Sequence, residues 1–281
     1  MLKIKKKNYV ERIFFNDGYC LNSIKKSLFK GKIFILDGFP FQEIIKDINK
    51  KFYLEFNLNL NDFLFSKYLN ESIFNDQTLK SFQKKVKNSN TLKTYFFEFL
   101  KLINFDIKKT YSDKITFRFS PQKSEKPLGF LKPALPHRDT WASNFQAQIN
   151  WWIPLHDVYE ENTIYFVPKY FNKKIDNDSL TWSFQEYKKG IKSSSTPVVK
   201  EKIQFNDLLT ISLKFGQILC FSGHHIHGSN LSSKRRVNLE VRTISLNDSK
   251  NFHIPANLDS FNNRKRYKWF KSFNNSEYYK E

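Results

Sequence analysis

Two histidines and an aspartate hold the chemistry most worth following in this chain. His137 and Asp139 lie in Leu135-Pro136-His137-Arg138-Asp139-Thr140-Trp141, and His227 lies in Phe221-Ser222-Gly223-His224-His225-Ile226-His227-Gly228-Ser229. Two imidazoles and one carboxylate can occupy one face of a metal ion and leave the other face open to small ligands, a donor set suited to ferrous iron. Residues i and i+2 of an extended segment point the same way, so His137 and Asp139 can serve one ion. The third donor must come from another strand, which makes its distance of 227 − 139 = 88 residues a matter of topology. His224 and His225 compete with His227 for that place, and of these His225 and His227 point alike in a strand. His156 and His253 have no partner motif and read as structural or exposed.

A second pattern follows the distal histidine. In Arg235-Arg236-Val237-Asn238-Leu239-Glu240-Val241-Arg242, strand periodicity puts Arg236, Asn238, Glu240 and Arg242 on one face and Val237, Leu239 and Val241 on the other. The apolar face packs outward or under helices, and the polar face looks into a barrel. Inward arginines are costly unless an anion meets them, and a dicarboxylate would do so. Either Arg236 or Arg242 fits that task. Farther upstream, Phe145–Leu155 reads as a strand with Gln146, Gln148, Asn150 and Trp152 on one face. Gln148 and Asn150 are therefore candidates to bond a co-substrate or substrate.

From about Ile115 to Ser245, a little under half the chain, the sequence resembles the phytanoyl-CoA hydroxylase-like (PhyH-type) iron(II)- and 2-oxoglutarate-dependent dioxygenases. The resemblance rests on LPHRDTW, INWWIPLHDVYEENTIYFVP, GQILCFSGHHIHGSN and RRVNLEVR. It implies a mainly β fold with helical N-terminal additions, a double-stranded β-helix of the jelly-roll, cupin-like kind. It also implies that His137, Asp139 and His227 ligate iron and that Arg236 pairs with the far carboxylate of 2-oxoglutarate. The reaction implied uses Fe(II), 2-oxoglutarate and O2 to hydroxylate, or otherwise oxidise, a C–H bond, with release of succinate and CO2. Asp139 stands where halogenating relatives keep a small residue, which favours hydroxylation or desaturation. The chain departs from the family at Asn162-Thr163 and at Pro168–Phe171, where the family has Asn-Gly and a PGSH segment.

These motifs need elements to hold them. Residues 1–110 read as a mixed helical and strand lobe, with a strand at 32–36, helices over 42–52 and 59–69, and an apolar helical stripe over 91–107 (Leu92, Tyr95, Phe96, Phe99, Leu100, Ile103). Residues 111–246 read as the catalytic barrel, with strands over 115–119, 145–155, 163–168, 208–213, 217–221, 226–228 and 236–245. The loop 121–136 leads into the metal pair. An excursion over 169–196 has little apolar pattern and suits a lid. Residues 247–281 form a polar, lysine-rich tail that Trp269 and Phe270 dock onto the body.

Composition sets the outer limits. A chain of 281 residues with 40% hydrophobic and 17% aromatic content can bury a sizeable core. Two cysteines, Cys20 and Cys220, are too few for a disulfide framework. No apolar run approaches the ~18 residues of a membrane span, and no signal peptide follows the basic start, so a cytoplasmic setting is expected. The formal charge of +20 suggests nucleic acid at first. However, 47 − 8 = 39 of the basic residues are lysines scattered throughout, whereas five of the eight arginines (Arg118, Arg138, Arg235, Arg236, Arg242) fall in or beside barrel strands. A small-molecule substrate is favoured over nucleic acid, with small polar metabolites and natural-product intermediates foremost. The two rival readings are a nucleic-acid demethylase and a non-enzymatic jelly-roll binding module. Oligomeric state is not readable from the sequence.

Overall fold

Two sheets face one another and share a buried apolar cluster, to which Ile33, Leu219 and Phe221 of the larger and Ile164, Phe166 and Leu209 of the smaller contribute. The computed structural model describes residues 8–15, 18–39, 41–66, 73–125, 133–192, 194–230, 232–262, 264–273 and 277–280. In chain order its strands are β1 (Val10–Phe14), β2 (Ile33–Asp37), β3 (Thr110–Ser112), β4 (Thr116–Ser120), β5 (Ile149–Pro154), β6 (Ile164–Phe166), β7 (Leu209–Thr210), β8 (Ile218–Ser222), β9 (His227–Ser229), β10 (Arg236–Ser245) and β11 (Lys271–Ser272). The larger sheet runs β1-β2-β8-β5-β10-β3-β11, with β4 also beside β10, and the smaller runs β7-β6-β9. From β4 onward the chain moves between them: β5 large, β6 and β7 small, β8 large, β9 small, β10 large. That alternation winds the chain into a double-stranded β-helix, and the fold is the expected jelly roll.

The long strand β10 is central because it has partners on both sides, β5 along one edge and β4 then β3 along the other. Its alternation sorts the side chains as the sequence indicates. Val237, Leu239 and Val241 are buried to within 1% exposure and join the main apolar cluster. Helices cover that face: α1 (Leu21–Leu28), α2 (Gln42–Phe56), α3 (Leu60–Phe65), α4 (Asp76–Lys87) and α5 (Asn90–Leu102). Ile48 and Phe52 of α2, Phe82 of α4 and Phe96 and Leu100 of α5 meet Trp151 and Ile153 of β5 in the same cluster. Phe52 sits among the rings of Phe56, Phe63, Phe74, Phe82 and Phe117. Each such ring contributes roughly 1.5–3 kcal/mol on burial, so the helical layer fixes the back of the sheet whose front carries the site.

Several elements differ from the sequence expectations for local reasons. The helix expected over 59–69 ends at Phe65, and residues 67–69 lie outside the described residues, as does 126–132 of the loop over 121–136. The helix expected to reach 107 stops at Leu102, because Asn104 turns into the left-handed region with φ 64°. Helix α4 was unanticipated; Asn75 and Thr78 form a capping box and Leu79, Phe82 and Val86 supply its buried face. The strand expected over 145–155 begins at Ile149, which leaves Gln146 exposed instead of on an inner face. Phe145 packs with Phe270 and Tyr279 of the tail. Three short helices complete the chain: α6 (Asp139–Ser143), α7 (Phe184–Lys188) within the excursion, and α8 (Asp248–Asn251) after β10. Among the described residues no helix is long and apolar enough to cross a membrane.

Candidate metal centre

The backbone brings the donors together first. His137 and His227 form an antiparallel bridge, each amide donating to the other's carbonyl at 3.0 Å. Directly opposed residues of such a pair project side chains to the same side, and the two imidazoles lie with ring centroids 4.3 Å apart. Asp139, two residues on and at the start of α6, turns its carboxylate to both: Nε2 of His137 is 3.9 Å from Oδ1, and Nε2 of His227 is 3.7 Å from Oδ2. All three side chains are buried, and one donor atom from each lies within 4.8 Å of the others. Arg138, between the ligand pair, points the other way. Its guanidinium donates to the carbonyls of Tyr170, Phe171, Lys173 and His224 and pairs with Asp259 at 3.3 Å. The same Asp259 accepts from Trp141 Nε1 at 2.8 Å. Excursion and tail are thereby tied to the turn that presents His137 and Asp139.

Hydrogen bonding fixes which ring nitrogens are available. Nδ1 of His137 lies 2.7 Å from the Leu135 carbonyl oxygen, and Nδ1 of His227 lies 3.0 Å from that of His225. A carbonyl only accepts, so each Nδ1 carries the proton and each Nε2 keeps its lone pair toward Asp139, as a metal-ligating imidazole requires. Burial, helped by the charge of His227, holds His137 down to about 4, so it is neutral at pH 7. Burial alone would raise Asp139. The Arg242 guanidinium beside it, with the Asn150 hydrogen bond, outweighs that and keeps the carboxyl below the ordinary range. A neutral His137 imidazole and an ionised Asp139 carboxylate are ligand forms that suit a divalent ion. The residues fit a single bound metal.

The remaining candidates fall into two groups. Gln148, Asn150 and Arg242 act on Asp139. Gln148 Nε2 donates to Asn150 Oδ1 at 2.8 Å, and Asn150 Nδ2 donates to Asp139 Oδ2 at 2.5 Å. Arg242 donates to Asp139 Oδ1 at 2.9 Å and to Asp113 Oδ2 at 2.6 Å, so its guanidinium is committed to two carboxylates. Arg236 is placed differently. It is 2% exposed and, like Asn150 and Arg242, lines the cavity of about 770 Å³ that holds His137, Asp139 and His227, but it makes no contact with Asp139. Its donors go to the Asn162 carbonyl (3.1 Å), Ser120 Oγ (2.8 Å), Ser229 Oγ (2.9 Å) and Asn238 Oδ1 (3.3 Å), all neutral. His225 is packed among Phe166, Phe171 and Phe221, and His224 lies near Phe171, so neither reaches the ligand cluster.

No family model matches the chain, and no curated protein does. It is similar to solved structures. A structure described as a non-heme monooxygenase, ThoJ, matches with 12% identity and TM-score 0.35, over 59% of this chain and 55% of that one. EvdO2 from Micromonospora carbonacea var. aurantiaca, complexed with 2-oxoglutarate, matches with 8% identity and TM-score 0.40, over 59% and 64%. The epimerase SnoN, in complex with Fe3+, alpha ketoglutarate and nogalamycin RO, matches with 12% identity and TM-score 0.43, over 80% and 84%. The chain thus spans 55% and 64% of the lengths of the first two. The chemistry proposed for this protein rests on its own residues.

Sequence reasoning missed several side chains around the site. Ser120 and Ser229 hold Arg236, and Asp113 backs Arg242; Arg118 and Glu240 were each placed in barrel strands, but their pairing at 2.9 Å across β4 and β10 was not foreseen. The alternation of β4 carried part of this signal, since Arg118 and Ser120 share its inner face. Tyr165 of β6 also lines the cavity, with its phenol pushed up to about 12 by burial. It lies against Gly228, where an added Cβ would come within 2.5 Å of the Tyr165 oxygen. Glycine follows His227 because the ring needs that space.

Proposed function

We propose that this protein is an iron(II)- and 2-oxoglutarate-dependent oxygenase that hydroxylates, or otherwise oxidises, a C–H bond of a small polar metabolite or natural-product intermediate. One arrangement carries the reading: a buried His137–Asp139–His227 donor cluster and a buried arginine with only neutral partners line one cavity of about 770 Å³. His137 Nε2, His227 Nε2 and one Asp139 oxygen would hold iron(II). When bound, iron and 2-oxoglutarate supply the oxidising power that inserts one atom of O2 into the substrate, with succinate and CO2 as co-products. The chain's own residues position and insulate. Arg242 and Asn150 take one Asp139 oxygen each and fix the carboxylate plane, and Leu135 and His225 carbonyls fix the imidazole planes. Arg236 binds the far carboxylate of 2-oxoglutarate, an anion that its neutral surroundings leave room to compensate. Tyr187, Ser195 and Thr196 of the excursion line the cavity and limit access of water. Anaerobic addition of iron(II) and 2-oxoglutarate tests the assignment. A weak visible charge-transfer band is expected, and its absence with folded protein would favour a non-enzymatic binding module.

A further inference from the structure

A second cavity of about 640 Å³ adjoins the first, and the two share Arg118, Tyr187, Ser195, Thr196 and Arg242 as common wall. Arg242 is the link to the metal centre, because its guanidinium touches Asp139. Six lysines line this second space: Lys87, Lys93, Lys114, Lys188, Lys268 and Lys271. Asp113 is its only acidic lining residue among those described, and it is already committed to Arg242. The whole chain has 47 basic against 27 acidic residues, so ordinary surface would carry more than half as many acids as bases. The partners shown for the lysines are neutral. Lys114 donates to Asn88 at 2.8 Å, Lys93 and Lys188 lie over Phe273 and Phe184, and Lys271 lies over Tyr278. Crowding of its ammonium by the protein, with the charges of Arg118, Lys114 and Arg242, holds Lys87 below the ordinary lysine value, although Asp113 partly offsets this.

We infer that this second cavity is the docking arm for a phosphate-bearing substrate, whose reactive carbon extends past Arg118 and Arg242 into the metal cavity. The inference rests on the oxygenase reading above and names its substrate class. A single carboxylate is matched by one or two ammonium groups, whereas a phosphoryl group carries nearly two charges at pH 7 and three strong acceptor oxygens. Lysine serves such groups as a point charge without a fixed approach. The aromatic faces of Phe184, Tyr187 and Trp269 between the lysines suit the ring or apolar stem that bears the phosphate. A space of this size holds one small molecule of the ordinary ligand range, roughly 300–1,000 Å³, which favours a metabolite over a polymer.

Calorimetric titration of the metal-free protein with inorganic pyrophosphate at low salt tests this. The Lys87→Gln/Lys268→Gln double variant is compared with Lys46→Gln/Lys101→Gln, whose lysines lie exposed beside Glu43 and Glu98. One equivalent should bind, with affinity reduced about tenfold or more in the cavity variant and within about twofold of wild type in the surface variant. Absent binding, or equal weakening in both variants, overturns the inference. So does binding of a twelve-nucleotide oligothymidine about a hundredfold tighter than pyrophosphate, which would point to nucleic acid. The iron–2-oxoglutarate band is recorded on the same samples. A normal band without pyrophosphate binding removes the phosphate arm alone. Pyrophosphate binding without the band removes the oxygenase reading and, with it, the substrate role of the cavity.

Discussion

Replacing Arg236 with alanine should weaken 2-oxoglutarate by 10- to 150-fold while metal binding survives. The figure follows from the arginine's surroundings. Its guanidinium is 2% exposed, and its four hydrogen-bond partners carry no charge. Burial draws its pKa down to about 10; Glu240 opposes the shift and Arg118 adds to it, and the group remains a cation at pH 7. A buried cation whose hydrogen-bond partners are all neutral gains strongly from an incoming carboxylate. A charge-assisted hydrogen bond to such a group contributes roughly 1.5–3 kcal/mol, and about 1.4 kcal/mol is a factor of ten in Kd. The assay is an anaerobic titration of the iron(II) protein with 2-oxoglutarate, followed by the visible band. Arg236→Lys keeps the charge and loses the planar fork, so it should fall between wild type and alanine. If folded Arg236→Ala binds 2-oxoglutarate within about twofold of wild type, the anchor lies elsewhere and the reasoning fails.

Three further outcomes follow from the packing. Lys25→Met should destabilise the fold by about 3–5 kcal/mol, because Lys25 Nζ sits 2.8 Å from Asp248 with both side chains buried, joining α1 to α8; denaturant unfolding with a loss under 1 kcal/mol would contradict this. Gly228→Ala should displace Tyr165 and weaken metal binding, since the added Cβ meets the phenol oxygen at 2.5 Å; unchanged metal affinity and an unchanged Tyr165 position in a crystal structure would refute it. His156 is pulled down to about 4, chiefly by burial, and its Nε2 accepts from the Val237 amide at 3.3 Å. Its neutral form is the folded form, so its contribution is fully present above pH 6.5 and is lost as pH falls toward about 4, by up to about 1.4 kcal/mol per pH unit. Unfolding curves of His156→Gln should show a shallower loss over that range, and an identical slope would count against it.

The parts legible in the sequence are those that local periodicity dictates. Alternation over 236–242 gave the inner and outer faces of β10, and the outer residues Val237, Leu239 and Val241 are in the core. The spacing of His137 and Asp139, with His227 downstream, likewise marked the cluster that the fold assembles. Periodicity does not give depth along a strand or partners from distant segments. Gln148 and Asn150 were candidates to bond a co-substrate or substrate; they form a hydrogen-bonded chain that ends on Asp139, a partnership that periodicity did not indicate, and Asn150 also lines the cavity. Arg242 was a second candidate anchor, and its guanidinium bridges Asp139 and Asp113, the latter from the turn after β3. Strand β1 was illegible for a related reason: it is a parallel edge strand beside β2, and its burial has no clean alternation. In the polar tail Trp269 and Phe270 stood out as docking residues, and Phe270 is fully buried, whereas Asp259, which anchors Arg138, did not stand out. Its pairing is long-range, and composition conceals it.

Titration with cobalt(II), an optical substitute for iron(II), tests most directly whether three side chains share one ion. The wild-type protein should take up one equivalent and develop a visible d–d spectrum. His227→Ala should abolish tight uptake, while His225→Leu, which alters a neighbouring histidine packed against Phe171, should retain it. Tight uptake surviving in His227→Ala and lost in His225→Leu would contradict the account.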